Sequence, residues 1–476
     1  MVEEEPWEGD HSGRYRRDRE NIMDWTRREF VTNIGALAIG ATLPFGRALA
    51  QSASGANGRD RVLLCNEDSN TLSVIDPNTN TVAGTINLTS FDEDPRPPFR
   101  LVTGGVTPSH ASMIAKPLYH GAINIHGAAP SPDNKLLACT GRGTSNVYLI
   151  DLETMKVIGN TPNPQASNQT NAERITTGVL VGREPHEPTF SRNGKELWVT
   201  VRGENRIAVL DTAAAIDESR GGTSRAVRQY VDCINGPAQV WFSADGTLAF
   251  VISQKAAQLE VMDTHFGADG FSRPKRRMLI DIKTQDPFGF TPFQKTVPDG
   301  AELWLSHKLA DSISAWSVDA EPKPLDNISL GKLARPNHVE FVENSRGKVV
   351  YASLARVDDG GPGGIASSQI AIIDRSAAPG SRKVVGMFFS HGREAHGLWT
   401  NPETSLLYIA HEQDELPNTP NAGQTVCTAF DVSDPFKPQF IAQIPLGDLI
   451  VPSGKLRNKK SINLVYVRPG ARSQTA

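Results

Sequence analysis

The chain has 476 residues, 38% of them hydrophobic, with 41 Gly, 32 Pro and a formal net charge of −4. Charges of both signs are mixed along it, which excludes the concentrated basic face of a nucleic-acid binder. Cys65, Cys139, Cys233 and Cys427 lie far apart and form no CxxC or CxxCH, which excludes attached c-type haem and a disulfide framework. They read as small apolar packing residues.

In chain order, residues 1–22 are charged and aperiodic, so Met23 as well as Met1 is a candidate start. Thr26-Arg27-Arg28-Glu29-Phe30-Val31 then precedes a weakly apolar run at 34–45 and Ala48-Leu49-Ala50. This is the pattern of a twin-arginine export signal, with cleavage expected after Ala50. Residues 1–50 are therefore expected to be extension and signal peptide, and the mature protein periplasmic. The run is too short and Gly-rich to span a bilayer, and Arg47 disfavours the alternative Sec route. No later segment approaches a span, so none is expected after cleavage.

Beyond residue 59 a short alternating strand ending in Asp recurs. Leu72-Ser73-Val74-Ile75-Asp76 is followed by copies at 147–151, 207–211, 259–263, 370–374 and 427–431, with a degenerate copy at 313–317. Seven copies predict seven structural repeats. A second strand precedes each copy after the first (136–140, 197–201, 248–253, 303–307, 349–354, 407–411), and an outer strand follows, as at 81–88 and 383–389. Turns such as Ser243-Ala244-Asp245-Gly246 are hairpin chemistry. The frequent Gly and Pro suit an all-β chain of many short strands. The prediction is a seven-bladed β-propeller over 59–470, with four antiparallel strands per blade. Blade 1 starts at its second strand, 62–66, while 462–467 is a strand without a blade. Pairing these closes the ring with the C-terminal strand and removes both open edges. Insertions at 89–122, 160–174, 264–275 and 354–368 stretch the blades beyond the usual ~40–45 residues. Asp358-Asp359 and the glycines after it read as a solvated loop.

The repeat (apolar strand, Ser-x-Asp-Gly turn, Tyr-Val-like strand, Asn-x-[VI]-x-V-[IL]-Asp, outer strand) resembles the YVTN-repeat family of β-propellers. The resemblance covers nearly the whole mature chain. It implies the fold and leaves function open, since such propellers bind, scaffold or catalyse.

Function is sought where the innermost strands enter the axial channel. His126, His186 and His396 each stand eight residues before the turn that ends their strand (Asn134, Gly194, Thr404), and His338 stands nine before Gly347. Blades 4 and 5 offer Ala238/Gln239 and Pro292 there. His307 and His411 end second strands, which places them on the same face. Arg183, Arg335 and Arg393 each precede one of these histidines by three residues, and would make the channel mouth cationic and steer an anionic ligand. Glu184 and Glu394 are candidates for orienting imidazoles. Three readings stay open: histidines that simply bond neighbouring blades, a metal site, or an anion or tetrapyrrole site. If metal binds, imidazoles on one axis suit copper, and zinc or iron less well. A haem-type tetrapyrrole, or no cofactor at all, is the alternative.

The architecture is similar to the copper-bearing propeller of nitrous oxide reductase and to the haem-d1 propeller of nitrite reductases. This chain lacks the first one's His-His pair and electron-transfer domain and the second one's cytochrome segment. The expectation is an exported, copper-dependent oxidoreductase acting on a small or anionic substrate. The competing expectation is a non-catalytic propeller that binds or scaffolds a protein, cell-envelope or tetrapyrrole partner.

Overall fold

The computed structural model describes residues 59–88, 123–159, 161–162, 174–175, 178–451 and 454–473. The twin-arginine segment and the insertion at 89–122, with His110 and His120, lie outside the described residues, as does most of 160–174. Among the described residues no helix is long and apolar enough to cross a membrane.

Seven antiparallel sheets follow one another along the chain, and all but the first are built from consecutive strands running from the axis outward. Blade 3 shows the pattern: an inner strand Pro185–Phe190, then Glu196–Val201, Arg206–Asp211 and an outer strand Val227–Asp232. The second strand is buried at every position, whereas the outer strand alternates half-buried and exposed. The second strand is flat against a neighbouring blade on both faces, so it reads as continuously apolar; the outer strand meets solvent on one face. The core accordingly lies between blades, as where Ala138, Val147 and Leu149 of blade 2 join Phe190, Leu197 and Val199 of blade 3.

The recurring Asp has a local cause. Its carboxylate accepts the backbone N–H of the turn that follows: Asp76 from Asn78, Asp151 from Glu153 and Thr154, Asp374 from Ser376, Asp431 from Ser433. This is an Asx turn. In blade 3 the same residue, Asp211, caps a helix over Thr212–Ser219 by accepting from Ala213 and Ala214.

Ring closure follows the expected pairing. Ser461–Val467 forms the innermost strand of blade 1, antiparallel to Arg61–Asn66. Arg468 bonds Asp60 at 2.7 Å, and Tyr466 donates to the same carboxylate. Two details differ from expectation. The outer strand of blade 2 is split into Lys156–Val157 and Val179–Leu180, because the 160–174 insertion interrupts it. The 354–368 insertion mostly lengthens a hairpin, with Val357 opposite Ser368, and Arg356 pairs with Asp358.

Candidate functional site at the axial mouth

The inner strands of blades 2, 3, 6 and 7 bulge near their start. Pairing jumps from Ile125↔Gly141 to Ala128↔Cys139, and from Pro185↔Val201 to Pro188↔Val199. In blades 6 and 7 it jumps from Pro336↔Leu354 to Val339↔Ala352, and from Ala395↔His411 to Leu398↔Ile409. Two residues then oppose one, and a backbone N–H loses its ladder partner. A second-strand hydroxyl replaces it: Gly127 N–H donates to Thr140 at 2.9 Å, Glu187 to Thr200 at 3.1 Å, His338 to Ser353 at 3.1 Å. Each hydroxyl donates onward to the next blade, to the carbonyls of His186, Ala238 and His396. The residue before each bulging strand is left-handed, as at Asn124, Glu184, Arg335 and Glu394 (φ 50 to 58°). Blade 4 uses Gly236 there, at φ 64°.

The bulges bring the four axial histidines together, but not around one centre. His126 and His186 rings lie 4.3 Å apart and His338 and His396 rings 5.2 Å apart. Phe293 of blade 5 stands between the pairs, stacked on His338 at 3.7 Å and 6.1 Å from His186. His126, His186 and His396 are first bulge residues. In blade 6 that place belongs to Asn337, and His338 takes the second; its interval to the turn is nonetheless longer, because the hairpin of that blade runs two residues further, to Asn344↔Gly347. Asn337 donates to the next blade at Ala395, much as His186 bonds Ala238 through Nδ1 at 2.8 Å. Burial holds His126, His338 and His396 well below the usual imidazole range, so all three are neutral.

The second bulge residue of blade 3 is Glu187, absent from the sequence-based candidates. Its carboxylate lies 3.3 Å from His126 Nδ1 and 4.0 Å from His186 Nδ1. The donor atoms of His126, His186 and Glu187 lie within 4.8 Å of one another, and all three residues are buried. Burial pushes the Glu187 carboxyl well above its usual range. Among the described residues its ion pairs are with those two imidazoles alone, and Asn463 of the closing strand donates to it. Gly127 makes the room: a Cβ there would meet the His186 carbonyl at 2.5 Å and the Glu187 carboxylate at 2.6 Å. His186 donates from Nδ1, so Nε2 carries its lone pair, 3.2 Å from the Gln254 amide nitrogen.

His307 and His411 are not part of this group. His307 bonds Thr291 and Ser314, and His411 bonds the Val426 carbonyl and Ser390. Each ring has both nitrogens engaged, which leaves no lone pair for a metal. The three expected arginines are also used differently. Arg183 donates to the Gly203 carbonyl and Arg393 to that of Asp414, while Arg335 is exposed. Arg335 occupies the left-handed position filled by Glu184 and Glu394 in blades 3 and 7, so the three arginines are not equivalent. Glu184 pairs with Arg202 at 3.8 Å, and Glu394 accepts from Gln413.

A second layer covers the imidazoles. In blades 1 to 4 the residue just after the second strand bonds back to the residue before the inner strand, as Arg142 does to Asn124 and Arg202 to Glu184. Read around the ring, the matching positions hold Glu67, Arg142, Arg202, Gln254, Lys308, Ala355 and Glu412, the last two lying inside longer second strands. Glu67 accepts from Arg142 at 2.8 Å, Arg202 holds the Gln254 side chain, and Glu412 lies 3.5 Å from His396. A cleft of about 530 Å³ opens beside it, between Asp68, Arg393, Glu412 and Lys460.

No protein-family model matches the chain, and no curated protein does. Among solved structures it is similar to a putative 6-phosphogluconolactonase of Bacteroides uniformis, at 14% identity over 86% of this chain and 99% of that one, TM-score 0.54. It is equally similar to the periplasmic gluconolactonase of Pseudomonas aeruginosa, at 14% identity over 86% and 99%, TM-score 0.53. A weaker likeness, TM-score 0.47 at 12% identity over 87% and 76%, is to the dihydro-haem d1 dehydrogenase NirN. At such identities the likeness is one of fold alone, a seven-bladed propeller.

Proposed function

We propose that this is an exported periplasmic propeller that binds a first-row transition-metal ion on His126, His186 and Glu187 and acts as a metal-dependent oxidoreductase on a small anionic substrate. One observation carries the reading: a buried carboxylate lies between two imidazoles, with no Lys or Arg ion pair to Glu187 among the described residues. Burying such a charge is costly unless a cation neutralises it. Two ligands sharing an ion at ~2.1 Å stand at most ~4.2 Å apart, and ligand atoms of the three residues already lie within 4.8 Å of one another.

Two imidazoles and a carboxylate suit copper, zinc or iron, and copper(II) binds such sites most tightly. When bound, the metal would cycle its redox state or polarise the substrate. The chain's own residues do the positioning. Asn463 and the gap at Gly127 set the Glu187 carboxylate, and the Ala238 carbonyl fixes the His186 tautomer. Gln254, held by Arg202, covers the His186 lone pair and would yield it to the ion.

Metal analysis of protein recovered from the periplasmic fraction tests this. Near-stoichiometric copper, lost in His126→Ala and in Glu187→Gln, is the expected result. Protein that takes up neither copper, zinc nor iron on reconstitution would point instead to a non-catalytic binding propeller.

A further inference from the structure

The covering layer holds charge that the metal reading leaves unused. Arg142 and Arg202 are 5% and 1% exposed and come from adjacent blades. Arg142 follows Gly141, which pairs with Ile125 beside His126; Arg202 follows Val201, which pairs with Pro185 beside His186. Both guanidiniums come near enough to the pair for their charge to help lower the His126 pKa, after burial and the charge of His186.

Their bonding is alike. Each spends Nη1 on one neighbour, Arg142 on Glu67 and Arg202 on the Gln254 side chain. Among the described residues, Nε and Nη2 of each have no hydrogen-bond partner, although Glu184 stands 3.8 Å from Arg202 Nε. Nε and Nη2 form one edge of a guanidinium, with two parallel N–H donors spaced to fit two oxygens of a planar anion. Two such edges lie idle on adjacent blades. The local anions do not answer them, since Glu67 is shared with Lys460. Burial first, and then the charge of Arg142, push Arg202 down to about 9.

We infer that Arg142 and Arg202 clamp a small planar oxyanion, of the carboxylate or nitrate type, over the His126–His186 pair. This deepens the functional reading by naming its substrate class and rests on it for the chemistry, though not for binding. Because the four nitrogens are buried, the clamp takes a small anion stripped of water, and chloride, without two oxygens, fits it less well. The sequence-based arginines at the mouth, Arg183 and Arg393, would then attract the anion without gripping it.

The test uses mature protein stripped of metal with EDTA, titrated with sodium formate, nitrate or chloride at constant ionic strength and followed by calorimetry and thermal unfolding. Formate or nitrate should bind and raise the unfolding temperature more than chloride does. Arg142→Lys and Arg202→Lys keep the charge but lose the paired edge, and each should weaken that binding about tenfold or more. Wild-type protein that formate and nitrate stabilise no better than chloride overturns the inference, as does unchanged affinity in both lysine variants. The wild-type comparison decides even if a variant does not fold. Stripping the metal keeps this result separate from the metal analysis: a protein that binds anions but no metal retains the clamp and loses the oxidoreductase reading.

Discussion

Thr140→Val probes the device that shapes the site. Valine keeps the volume of threonine and removes the hydroxyl that serves two blades. Without it, the Gly127 N–H is buried with no acceptor, which costs about 1–3 kcal/mol. The bond to the His186 carbonyl is also lost, for a further ~0.5–1.5 kcal/mol. The expected destabilisation is therefore about 2–4 kcal/mol. Thr140→Ser is the control: it keeps both bonds and gives up one methyl, for about 1 kcal/mol. Equilibrium urea unfolding followed by tryptophan fluorescence reads the difference as a shift in midpoint at constant slope. The order should be wild type, then serine, then valine. A valine variant as stable as the serine one would mean that the bulge is held by something other than this hydroxyl.

Acidification should expose the two structural histidines. Burial holds His307 down to about 3 and His411 down to about 4. Below pH 6.5 the unfolded chain therefore binds protons that the fold refuses, and stability falls with pH. At pH 5 each costs about 2 kcal/mol relative to neutral pH. Glu187 and Glu394, whose folded pKa is raised, change stability in the opposite sense. Comparing the pH 7 to pH 5 loss in wild type with that in His307→Asn/His411→Gln cancels their part; the variant should lose about 4 kcal/mol less, and an equal loss would contradict the neutral-ring assignment. Gly127→Ala should place a methyl against the His186 carbonyl and Glu187, costing about 1–3 kcal/mol. Circular dichroism should keep its β signature while copper uptake drops; full uptake would mean Glu187 is not a ligand.

The architecture was legible because each blade repeats its own solution to the same packing problem. The strand ending in Asp recurs since the carboxylate closes the following turn, and the unpaired strands at 62–66 and 462–467 left a single way to seal both edges. The site was only half legible. Spacing located the four axial histidines, and the odd nine-residue interval at His338 was the trace of a longer hairpin in blade 6. Phe293 could not be foreseen at their centre, since blade 5 has no bulge and its spacing follows no column. Glu187 was passed over because it follows His186 directly, and alternation would send adjacent strand residues to opposite faces; a bulge breaks that rule. Arg142 and Arg202 had a signal of their own, the position just after each second strand, where charged or amide residues stand at 67, 142, 202, 254, 308 and 412. The Arg183, Arg335 and Arg393 echo misled because equal spacing from a histidine is not equal place in the ladder.

The seam between the first and last strands reaches further than mechanical sealing. Asn463, which steadies Glu187, arrives only when the final strand docks beside the opening one. A polypeptide lacking that strand could stack most of its blades and still present a carboxylate with nothing to steer it. Positioning of this carboxylate and fastening of the circle are thus one event, and proteolytic loss of the chain from Asn463 onward, its last 14 residues, would release Glu187 from the opposite side of the sequence.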